Sequence, residues 1–425
     1  MAVRHIGLIC PEISGHLNPM TTLGRELLRR GYRVTLVGIL DGQAKAEEAG
    51  LEFIPISVAD APLGSRAQFT ADLGKLQGRA ALQFTIDRFR ETGRLQLRDG
   101  PDAIRNAGID GLLIDQVSGI AGTVADHLNL PYVTICNALA ANYDRDVPPL
   151  VTPWTFQPTP LGRLRNRLGY ALLDHTLKSI NLLVNRQRME WGLPPNPPGE
   201  LTFSTLAQIA QQPAVFDFPR RGLPACFHYS GPFHDDRSGD PIDFPYERLT
   251  GAPLIYASMG TLQNQQREVF TAIAAACEGL PAQLVVSLGN PQQTKVPDLP
   301  GNPVVVPYAP QLELVKRSAL VITHAGLNTV LETLSQGVPM TAIPVTNDQP
   351  GVGARVAWLG AGQIVPLAGL TANRLRKAIQ QVLTEPCFRE RAKEVQNQIQ
   401  ALDGVRLAAD IAEQALNSRQ PVLRN

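Results

Sequence analysis

The sequence predicts an α/β protein with two doubly wound parallel sheets that face each other across a cleft. Three observations support this fold class. At 425 residues, the chain is too long for one ordinary core and suits two domains of roughly 200 residues each. Short apolar runs alternate with amphipathic helical stretches in both halves, which is typical of βαβ units. The segment GPFHDDRSGDPIDFP (231–245), rich in glycine, proline and aspartate, separates the halves.

The first half contains five predicted strands. The first strand, His5–Cys10, is followed by Asn18 and Pro19, which predict the N-cap and first position of a helix. Gly31 predicts the end of that helix. The later strands are Tyr32–Leu40, Leu51–Ile56, Gly111–Ile114 and Tyr132–Cys136. Strands separated by helices in this way form a parallel sheet.

The second half repeats the alternation. Its predicted strands are Leu254–Ala257, Leu284–Leu288, Val304–Val306, Leu320–Thr323 and Met340–Pro344. Helical stretches run from Thr371 to about Ser418. We therefore expect a first domain at 1–215, a linker at 216–250, a second domain at 251–400, and a C-terminal helix at 401–425 that packs back on the first domain. Ligands of such sheets bind at the carboxyl ends of the strands.

Composition excludes several classes of protein. The formal net charge of +1 gives no basic surface for nucleic acid. No window of 18 uninterrupted apolar residues predicts a membrane span, and the N-terminus leads directly into a strand rather than a signal peptide. Five scattered cysteines form no metal or disulfide pattern and favour a reducing compartment. The expected location is the cytoplasm, with a peripheral membrane location as the alternative.

Residues 308–349 carry the clearest functional pattern. The strand Leu320–Thr323 ends in His324-Ala325-Gly326, and a helix begins near Leu327. Small residues allow a ligand to approach the backbone, and the free N–H groups of a helix start favour a phosphate. Asp348 and Gln349 follow the strand Met340–Pro344 and project toward the same edge. A carboxylate beside a carboxamide suits the hydroxyls of a hexose.

This stretch closely resembles the donor-binding motif of the UDP-glycosyltransferases, family 1 of the two-Rossmann GT-B transferases. The resemblance implies two Rossmann-like domains facing across a cleft and a UDP-sugar as co-substrate. The matching positions are Tyr308-Ala-Pro-Gln311, His324-x-Gly326-x-Asn328-Thr329, Glu332, Gly337-Val-Pro339, Pro344 and Asp348-Gln349. So many fixed positions within 42 residues make the match specific.

The resemblance also implies a role for each donor-site residue. Tyr308 is expected to stack on the uracil, with Gln311 near the base. His324, Asn328 and Thr329 are expected to hold the diphosphate beside Gly326. The ribose is assigned to Glu332, and the transferred sugar to Asp348 and Gln349. A second turn, YASMGTL (256–262), is similar to a short turn of the family and assigns phosphate or sugar contacts to Ser258, Gly260 and Thr261.

His16 and Asp115 are the candidate catalytic pair. His16 follows the first strand in the run SGHLNP (14–19), and Asp115 ends the strand Gly111–Ile114 of the same predicted sheet. An imidazole backed by a carboxylate is a general base held in one tautomer. The family has a His–Asp pair at these two places, and GHLNP is especially similar to its bacterial macrolide and zeaxanthin transferases. Asn137 follows the strand Tyr132–Cys136, where a sugar or acceptor contact and a turn role are both open.

The predicted activity is an inverting, metal-independent hexosyl transfer, with glucose favoured by Gln349. The acceptor is a hydroxyl of an apolar small molecule, and the product is a β-glycoside. The resemblance implies no cofactor besides the UDP-sugar, because a helix N-terminus and His324 stabilise the leaving diphosphate. Neither a nucleic-acid partner nor an oligomeric state is predicted.

Two other functions remain open. The helical region from Leu168 to Trp191 follows a proline-rich and basic stretch at 148–165. It is either a solvated helix pair or a membrane-surface contact of a lipid or carotenoid transferase, through the basic region 163–188. A nucleotide-sugar binder or epimerase on the same fold is the third class. Turnover of the donor without any acceptor would distinguish the epimerase.

Overall fold

A computed structural model describes residues 3–73, 76, 78–197, 202–234, 242–260, 267–291 and 293–424. Within these residues, the first half forms a sheet of seven strands, and every neighbouring pair is parallel. The strands are β1 His5–Ile9, β2 Arg33–Gly38, β3 Glu52–Pro55, β4 Gly111–Asp115, β5 Tyr132–Cys136, β6 Gln208–Ala210 and β7 Phe227–Tyr229. Their order across the sheet is β3-β2-β1-β4-β5-β6-β7.

The described residues of the second half form a parallel sheet of six strands. They are β8 Leu254–Ser258, β9 Gln283–Ser287, β10 Val304–Val306, β11 Ser318–Thr323, β12 Met340–Ala342 and β13 Gly362–Ile364, in the order β10-β9-β8-β11-β12-β13. The predicted fold class is confirmed. Strand order reverses between β1 and β4 in the first sheet and between β8 and β11 in the second. Parallel α/β sheets bind ligands in the crevice at such a reversal.

Helices cover the faces of the two sheets. In the first half they are α1 Ser14–Arg29, α2 Gln43–Glu48, α3 Ser65–Leu73, α4 Gly78–Ala107, α5 Ile120–His127 and α6 Pro160–Glu190. In the second half they are α7 Arg267–Cys277, α8 Gln311–Arg317, α9 Leu327–Ser335, α10 Gln349–Leu359, α11 Ala372–Thr384, α12 Pro386–Gln400 and α13 Gly404–Ser418. Because helices cover both faces, the strands read as continuous apolar runs.

Strands β6 and β13 are absent from the sequence prediction, and three other elements differ from it. Strand β7 lies inside the range 216–250 expected for the linker, so the first sheet extends to Tyr229. Helix α1 begins at Ser14, and Pro19 lies inside it, so the predicted N-cap at Asn18 is wrong. Helix α6 is a single helix that begins at Pro160, well before Leu168, because Thr159 accepts a hydrogen bond from the Gly162 N–H as its N-cap.

The last helix returns to the first domain. Ala408, Ala412 and Leu416 of α13 belong to the same buried cluster as Leu23 and Leu27 of α1. Beyond the helix, the Val422 N–H donates to the Leu206 carbonyl at 2.8 Å. The end of the chain therefore forms part of the first domain's core.

A buried ionic cluster joins the two domains. Asp217, which follows β6, accepts hydrogen bonds from Arg220 and from Arg355 of α10 at 2.7 Å each. The Tyr229 hydroxyl donates to the same carboxylate at 2.9 Å. Burial alone would raise the pKa of Asp217, but the two guanidinium groups lower it to about 2. We call Asp217, Arg220, Tyr229 and Arg355 the Asp217 cluster.

Candidate active site

The crevice of the first sheet holds the predicted catalytic pair. His16 lies in the first turn of α1, just after β1, and Asp115 is the last residue of the neighbouring strand β4. His16 Nδ1 lies 2.7 Å from Asp115 Oδ2. The His16 side chain is 17% exposed, whereas that of Asp115 is fully buried. Because an ionised carboxylate only accepts, Nδ1 carries the proton and Nε2 is the ring atom that can take another.

Asp115 is held by two further donors. The Asn137 amide donates to the same Oδ2 at 2.6 Å, and the Val117 N–H donates to Oδ1 at 2.8 Å. Asn137, a candidate sugar or acceptor contact in the sequence analysis, is buried and uses its amide nitrogen on Asp115. In this structure it positions the carboxylate, which in turn fixes the imidazole.

Opposing effects act on the His16 imidazole. Burial would lower the pKa of His16, but the negative charge of Asp115, the hydrogen bond to it and the charge of Asp348 raise this pKa above its ordinary value. Burial also raises the pKa of Asp348. The two carboxylates lie in different domains, so His16 experiences charge from both sides of the cleft. An imidazole whose proton affinity is raised in this way is suited to general-base catalysis.

The crevice of the second sheet holds His324. This residue follows β11, and Gly326 is the N-cap of α9. A Cβ on Gly260 or on Gly326 would lie 2.6 Å from the His324 ring, so two glycines enclose the imidazole. Burial lowers the pKa of His324 to about 4, which keeps the ring neutral near pH 7. Its Nδ1 is buried and has no hydrogen-bond partner among the described residues.

Ser258 and Gly260 adjoin this imidazole. Ser258 ends β8 and pairs with Thr323 at the end of β11, so the two turns share one edge of the sheet. The Gly260 N–H donates to Ser258 Oγ at 3.3 Å. Gly260 has a φ of +73°, a conformation that favours glycine. Thr261 lies outside the described residues.

Glu332 and Gln311 form a buried polar network. Gln311 Nε2 donates to Glu332 Oε2 at 2.5 Å and to Thr329 Oγ1 at 3.3 Å. The Tyr256 hydroxyl donates to Gln311 Oε1 at 3.3 Å. Burial raises the pKa of Glu332 to about 7, although the hydrogen bond from Gln311 opposes this rise. Gln311 thus orients Glu332, and Tyr308 beyond β10 keeps part of its ring exposed.

Asn328 joins the donor motif to the first domain. Its Nδ2 donates to the Gly15 carbonyl at 3.0 Å. That carbonyl is free because Pro19, four residues later in α1, has no N–H to donate. Gln211, directly after β6, donates to Asn328 Oδ1 at 2.8 Å and to the Asn137 carbonyl at 2.7 Å. The helix that carries His16 is therefore hydrogen-bonded to the helix that begins beside His324.

Asp348 and Gln349 have different surroundings. Asp348 Oδ2 accepts from the Leu139 N–H of the first domain at 3.2 Å. Gln349 Oε1 accepts from the N–H groups of Val345 and Thr346 at 2.9 and 3.0 Å. The side-chain carbonyl of Gln349 thus shapes its own loop. The structure brings Asp348 and Asn328 against the catalytic side of the cleft.

Comparisons with known proteins identify the family. A sequence profile described as "UDP-glucoronosyl and UDP-glucosyl transferase" matches residues 101–398. The chain belongs to the UDP-glycosyltransferase family. This UDP-glycosyltransferase is 30% identical over 424 residues to the zeaxanthin glucosyltransferase of Pantoea ananas, covering 99% of this chain and 98% of that protein. It is 29% identical to the zeaxanthin glucosyltransferase of Pseudescherichia vulneris, covering 99% and 100%.

Solved structures of glycosyltransferases share the fold of the UDP-glycosyltransferase. The glycotransferase of kitacinnamycin superposes with a TM-score of 0.76 at 23% identity, covering 98% of this chain and 99% of that one. CalG4, the calicheamicin glycosyltransferase, gives a TM-score of 0.72 at 22% identity and covers 99% and 100%. These likenesses confirm the predicted GT-B fold.

Two polar residues of the site are absent from the sequence prediction. Gln211 follows β6, a strand of only three residues that the sequence analysis did not predict. Without that strand, the sequence gives no reason to place Gln211 at the carboxyl edge of the sheet. Tyr256 lies inside β8 and reads as an apolar strand residue, yet its hydroxyl holds Gln311. The role of Gln211 follows from its position in the sheet, and that position is known only from the pairing of β6 with β5.

Replacing Gly326 by alanine is expected to weaken UDP binding by about tenfold. The new methyl group would lie 2.6 Å from His324 Nε2, so the imidazole must turn away from its place between the two glycines. Calorimetric titration with UDP measures the loss. Gly100→Ala in α4 is the control, since its Cβ would lie 3.8 Å from Val124 of α5, an ordinary contact. Unchanged UDP affinity in Gly326→Ala would contradict a diphosphate role for His324.

Proposed function

We propose that this UDP-glycosyltransferase transfers glucose from UDP-glucose to a hydroxyl of an apolar small-molecule alcohol, with inversion to a β-glycoside. The observation that carries the proposal is the His16–Asp115 pair at the crevice of the first sheet. Three hydrogen bonds connect this side of the cleft to the donor motif, from Asn328 to Gly15, from Gln211 to Asn328 and from Leu139 to Asp348. A base and a nucleotide-sugar site on opposite walls of one cleft suit direct transfer.

The proposed reaction is a single displacement. His16 Nε2 takes the proton of the acceptor hydroxyl while the hydroxyl oxygen bonds to the anomeric carbon of the sugar. The bond between that carbon and the diphosphate oxygen breaks, and UDP leaves with the electron pair. Asp115 holds His16 in the tautomer with a free Nε2 and stabilises the imidazolium as it forms. Attack opposite the leaving group converts the α-linked sugar of the donor into a β-glycoside.

The leaving diphosphate is assigned to the start of α9. Free N–H groups of a helix N-terminus carry partial positive charge and bind phosphate oxygens. His324 adds a neutral imidazole at the same position, since burial lowers its pKa to about 4. We propose that these groups take the place of a metal ion and that the sugar nucleotide needs no further cofactor. Glu332 is assigned to the ribose hydroxyls and Tyr308 to the uracil.

The apolar acceptor is supported by relatives that cover nearly all of the chain. Two of them are named zeaxanthin glucosyltransferases. Another is a 4'-demethylrebeccamycin synthase of Lentzea aerocolonigenes, 25% identical over 418 residues and covering 94% of this chain. These names also support glucose as the sugar. The acceptor itself belongs to the class of apolar alcohols.

The pH dependence of the reaction is expected to reveal the influence of Asp115. A general base works when neutral, so kcat/KM falls as pH drops through the pKa of His16, which Asp115 holds above its ordinary value. In Asp115→Asn the charge of this carboxylate is lost while burial and the charge of Asp348 remain, which moves the acid limb to lower pH than in the wild type. A pH profile of both proteins measures the shift. An acid limb at the same pH in both would contradict the pairing.

A donor and acceptor panel tests the proposed function. Purified protein with EDTA is given UDP-glucose, UDP-galactose, UDP-N-acetylglucosamine or TDP-glucose, together with phenolic, terpenoid and carotenoid alcohols. UDP release that requires an acceptor and persists in EDTA is the expected result, with UDP-glucose the best donor. Turnover of the donor without an acceptor would indicate an epimerase or hydrolase instead. Loss of all transfer in EDTA, with recovery on adding Mg²⁺, would overturn the metal-free mechanism.

A further inference from the structure

Helix α6 exposes a row of large apolar side chains. Leu161, Leu164, Leu168 and Leu172 are 53 to 80% exposed and are spaced by three, four and four residues. At 100° per residue these four leucines fall on one face of the helix. Leu182 and Met189 are equally exposed and extend the same face, so that all six lie within an arc of about 100°. We call Leu161, Leu164, Leu168, Leu172, Leu182 and Met189 the leucine stripe.

This arrangement is unusual for a free surface. Single exposed leucines are common, but four exposed leucines in successive turns, Leu161 to Leu172, indicate a contact with another apolar phase or molecule. Polar side chains, His175, Ser179 and the Arg186–Glu190 pair, share the face farther along the helix. The opposite face of α6 carries the residues that pack on the domain: Gly162, Asn166, Val184 and Arg188 are buried. The leucine stripe therefore has no role in the core.

The charges of α6 indicate which kind of partner the leucine stripe contacts. Residues 160–190 contain six basic and two acidic side chains, in a chain whose net charge is only +1. Arg163 pairs with Asp146, and Arg188 is buried against Asp126. Arg167 and Lys178 are exposed and have no ion-pair partner within the described part of the chain. Asp174 is the exposed acidic side chain of α6 that also lacks an ion pair within the described residues, so the unpaired charges remain basic in balance. An apolar row with a basic rim is complementary to a bilayer that contains anionic lipid.

A second copy of the chain fits this surface less well. Two stripes in contact would bring two basic rims together, and like charges across an interface oppose association.

None of the described helices is long and apolar enough to cross a membrane. A helix lying in the interface plane would place its leucines toward the acyl chains and its basic side chains toward the headgroups. This orientation accounts for both the exposed leucines and the basic charge of α6.

The start of α6 is joined to the segment that leads from the active site. The Asn166 amide donates to the Arg145 carbonyl at 3.1 Å, and the Tyr170 hydroxyl donates to the Val147 carbonyl at 3.2 Å. The same segment begins at Asn137, which is hydrogen-bonded to Asp115. The leucine stripe is thus connected to the catalytic pair through the 23 residues between the end of β5 and the start of α6, 137 to 159.

We infer that the leucine stripe of α6 docks the enzyme on an anionic phospholipid bilayer and that the apolar alcohol reaches the active site from that bilayer. The part concerning the alcohol rests on the proposed function, and the part concerning docking does not. Apolar alcohols of this class dissolve in lipid rather than in water, so an enzyme held at the surface meets them at a high local concentration.

Vesicle sedimentation tests the docking surface. The full-length protein, without donor or acceptor, is mixed with phosphatidylcholine vesicles with and without phosphatidylglycerol. We expect the protein to sediment with the anionic vesicles. Replacing Leu161, Leu164, Leu168 and Leu172 together by glutamine should lower the partition coefficient at least tenfold. Arg167→Gln with Lys178→Gln should lower it by a similar factor, in anionic vesicles only.

A matched variant controls for the loss of exposed apolar surface. Val296→Gln with Leu423→Gln also removes exposed apolar side chains, but away from α6, and should sediment like the wild type. Wild-type protein that stays in the supernatant, or a quadruple variant that still sediments, would overturn the inference. The same would follow if the quadruple variant changed a dimer to a monomer in light scattering without changing vesicle binding.

An activity assay separates this inference from the proposed function. With a water-soluble alcohol and no vesicles, the quadruple variant should release UDP at the wild-type rate. With an alcohol dissolved in anionic vesicles, its rate should fall about as much as its partition coefficient. If no alcohol supports UDP release in any protein, the proposed function fails while the sedimentation result still decides the docking surface. Equal rates on vesicle-dissolved alcohol would overturn delivery from the bilayer.

Discussion

Replacing His16 by alanine is expected to lower kcat/KM by about 10³-fold, within the range that general bases contribute. The reason is that His16 is the one imidazole among the described residues that is hydrogen-bonded to Asp115. Without it, no such base takes the proton of the acceptor hydroxyl. UDP affinity should stay within about twofold, because His16 lies on the acceptor side of the cleft. Steady-state UDP release with a water-soluble alcohol measures the first quantity, and calorimetric titration with UDP measures the second.

The control for this substitution is His175→Ala. His175 is an exposed histidine of α6, so its loss should leave kcat/KM unchanged with a soluble alcohol. A His16→Ala enzyme with near-normal turnover would show that another group takes the proton. A parallel tenfold loss of UDP affinity would show that the substitution disturbs the contact between Gly15 and Asn328 and not only the base.

Replacing Asp217 by alanine is expected to lower the free energy of unfolding by about 3 to 5 kcal/mol. The substitution leaves the buried Arg220 and Arg355 without their shared carboxylate. Denaturant and thermal unfolding, followed by both fluorescence and circular dichroism, measure the loss. Because Arg355 belongs to α10 and Asp217 follows β6, we also expect the two domains of the variant to unfold in separate transitions.

One control variant and a pH series sharpen this second prediction. Asp102→Ala removes an exposed ion pair with Arg105 and should change stability by less than about 0.5 kcal/mol. The pKa of Asp217 is lowered to about 2, so its stabilisation is complete above about pH 4 and is lost as pH falls toward 2. A variant as stable as the wild type at pH 7 would contradict the assigned role of the cluster.

The sequence predicts most of the strands that border the site because each is a buried apolar run between turn signals, including the three valines of β10. Strands β6 and β7 have three residues each, and β7 lies beside glycine and proline. Segments this short carry no periodicity and become strands only through pairing with a neighbour. Helix α1 also depends on a contact that is distant in sequence. Pro19 is typical of a helix start, but it lies inside α1, and the Gly15 carbonyl that it leaves without a donor accepts from Asn328 of the other domain.

The donor motif identifies residues of the site more reliably than it identifies their contacts. The spacing of the motif selects Gln311, Glu332 and Gln349, but it gives no sign that Gln311 binds Glu332 or that Gln349 holds backbone N–H groups. These contacts depend on how α8, α9 and the loop before α10 pack. The arrangement of His16 with Asp115 was predictable, since both follow neighbouring strands of a parallel sheet.

The position of α13 has a consequence for the order of folding during synthesis. The second sheet lies wholly within residues 254–364, so its strands are complete before α13 leaves the ribosome. The core of the first domain requires Ala408, Ala412 and Leu416, which are made some three hundred residues after β5. The half of the chain that is translated first therefore finishes folding last. Until then, the apolar face of α1 is open to molecular chaperones and to aggregation.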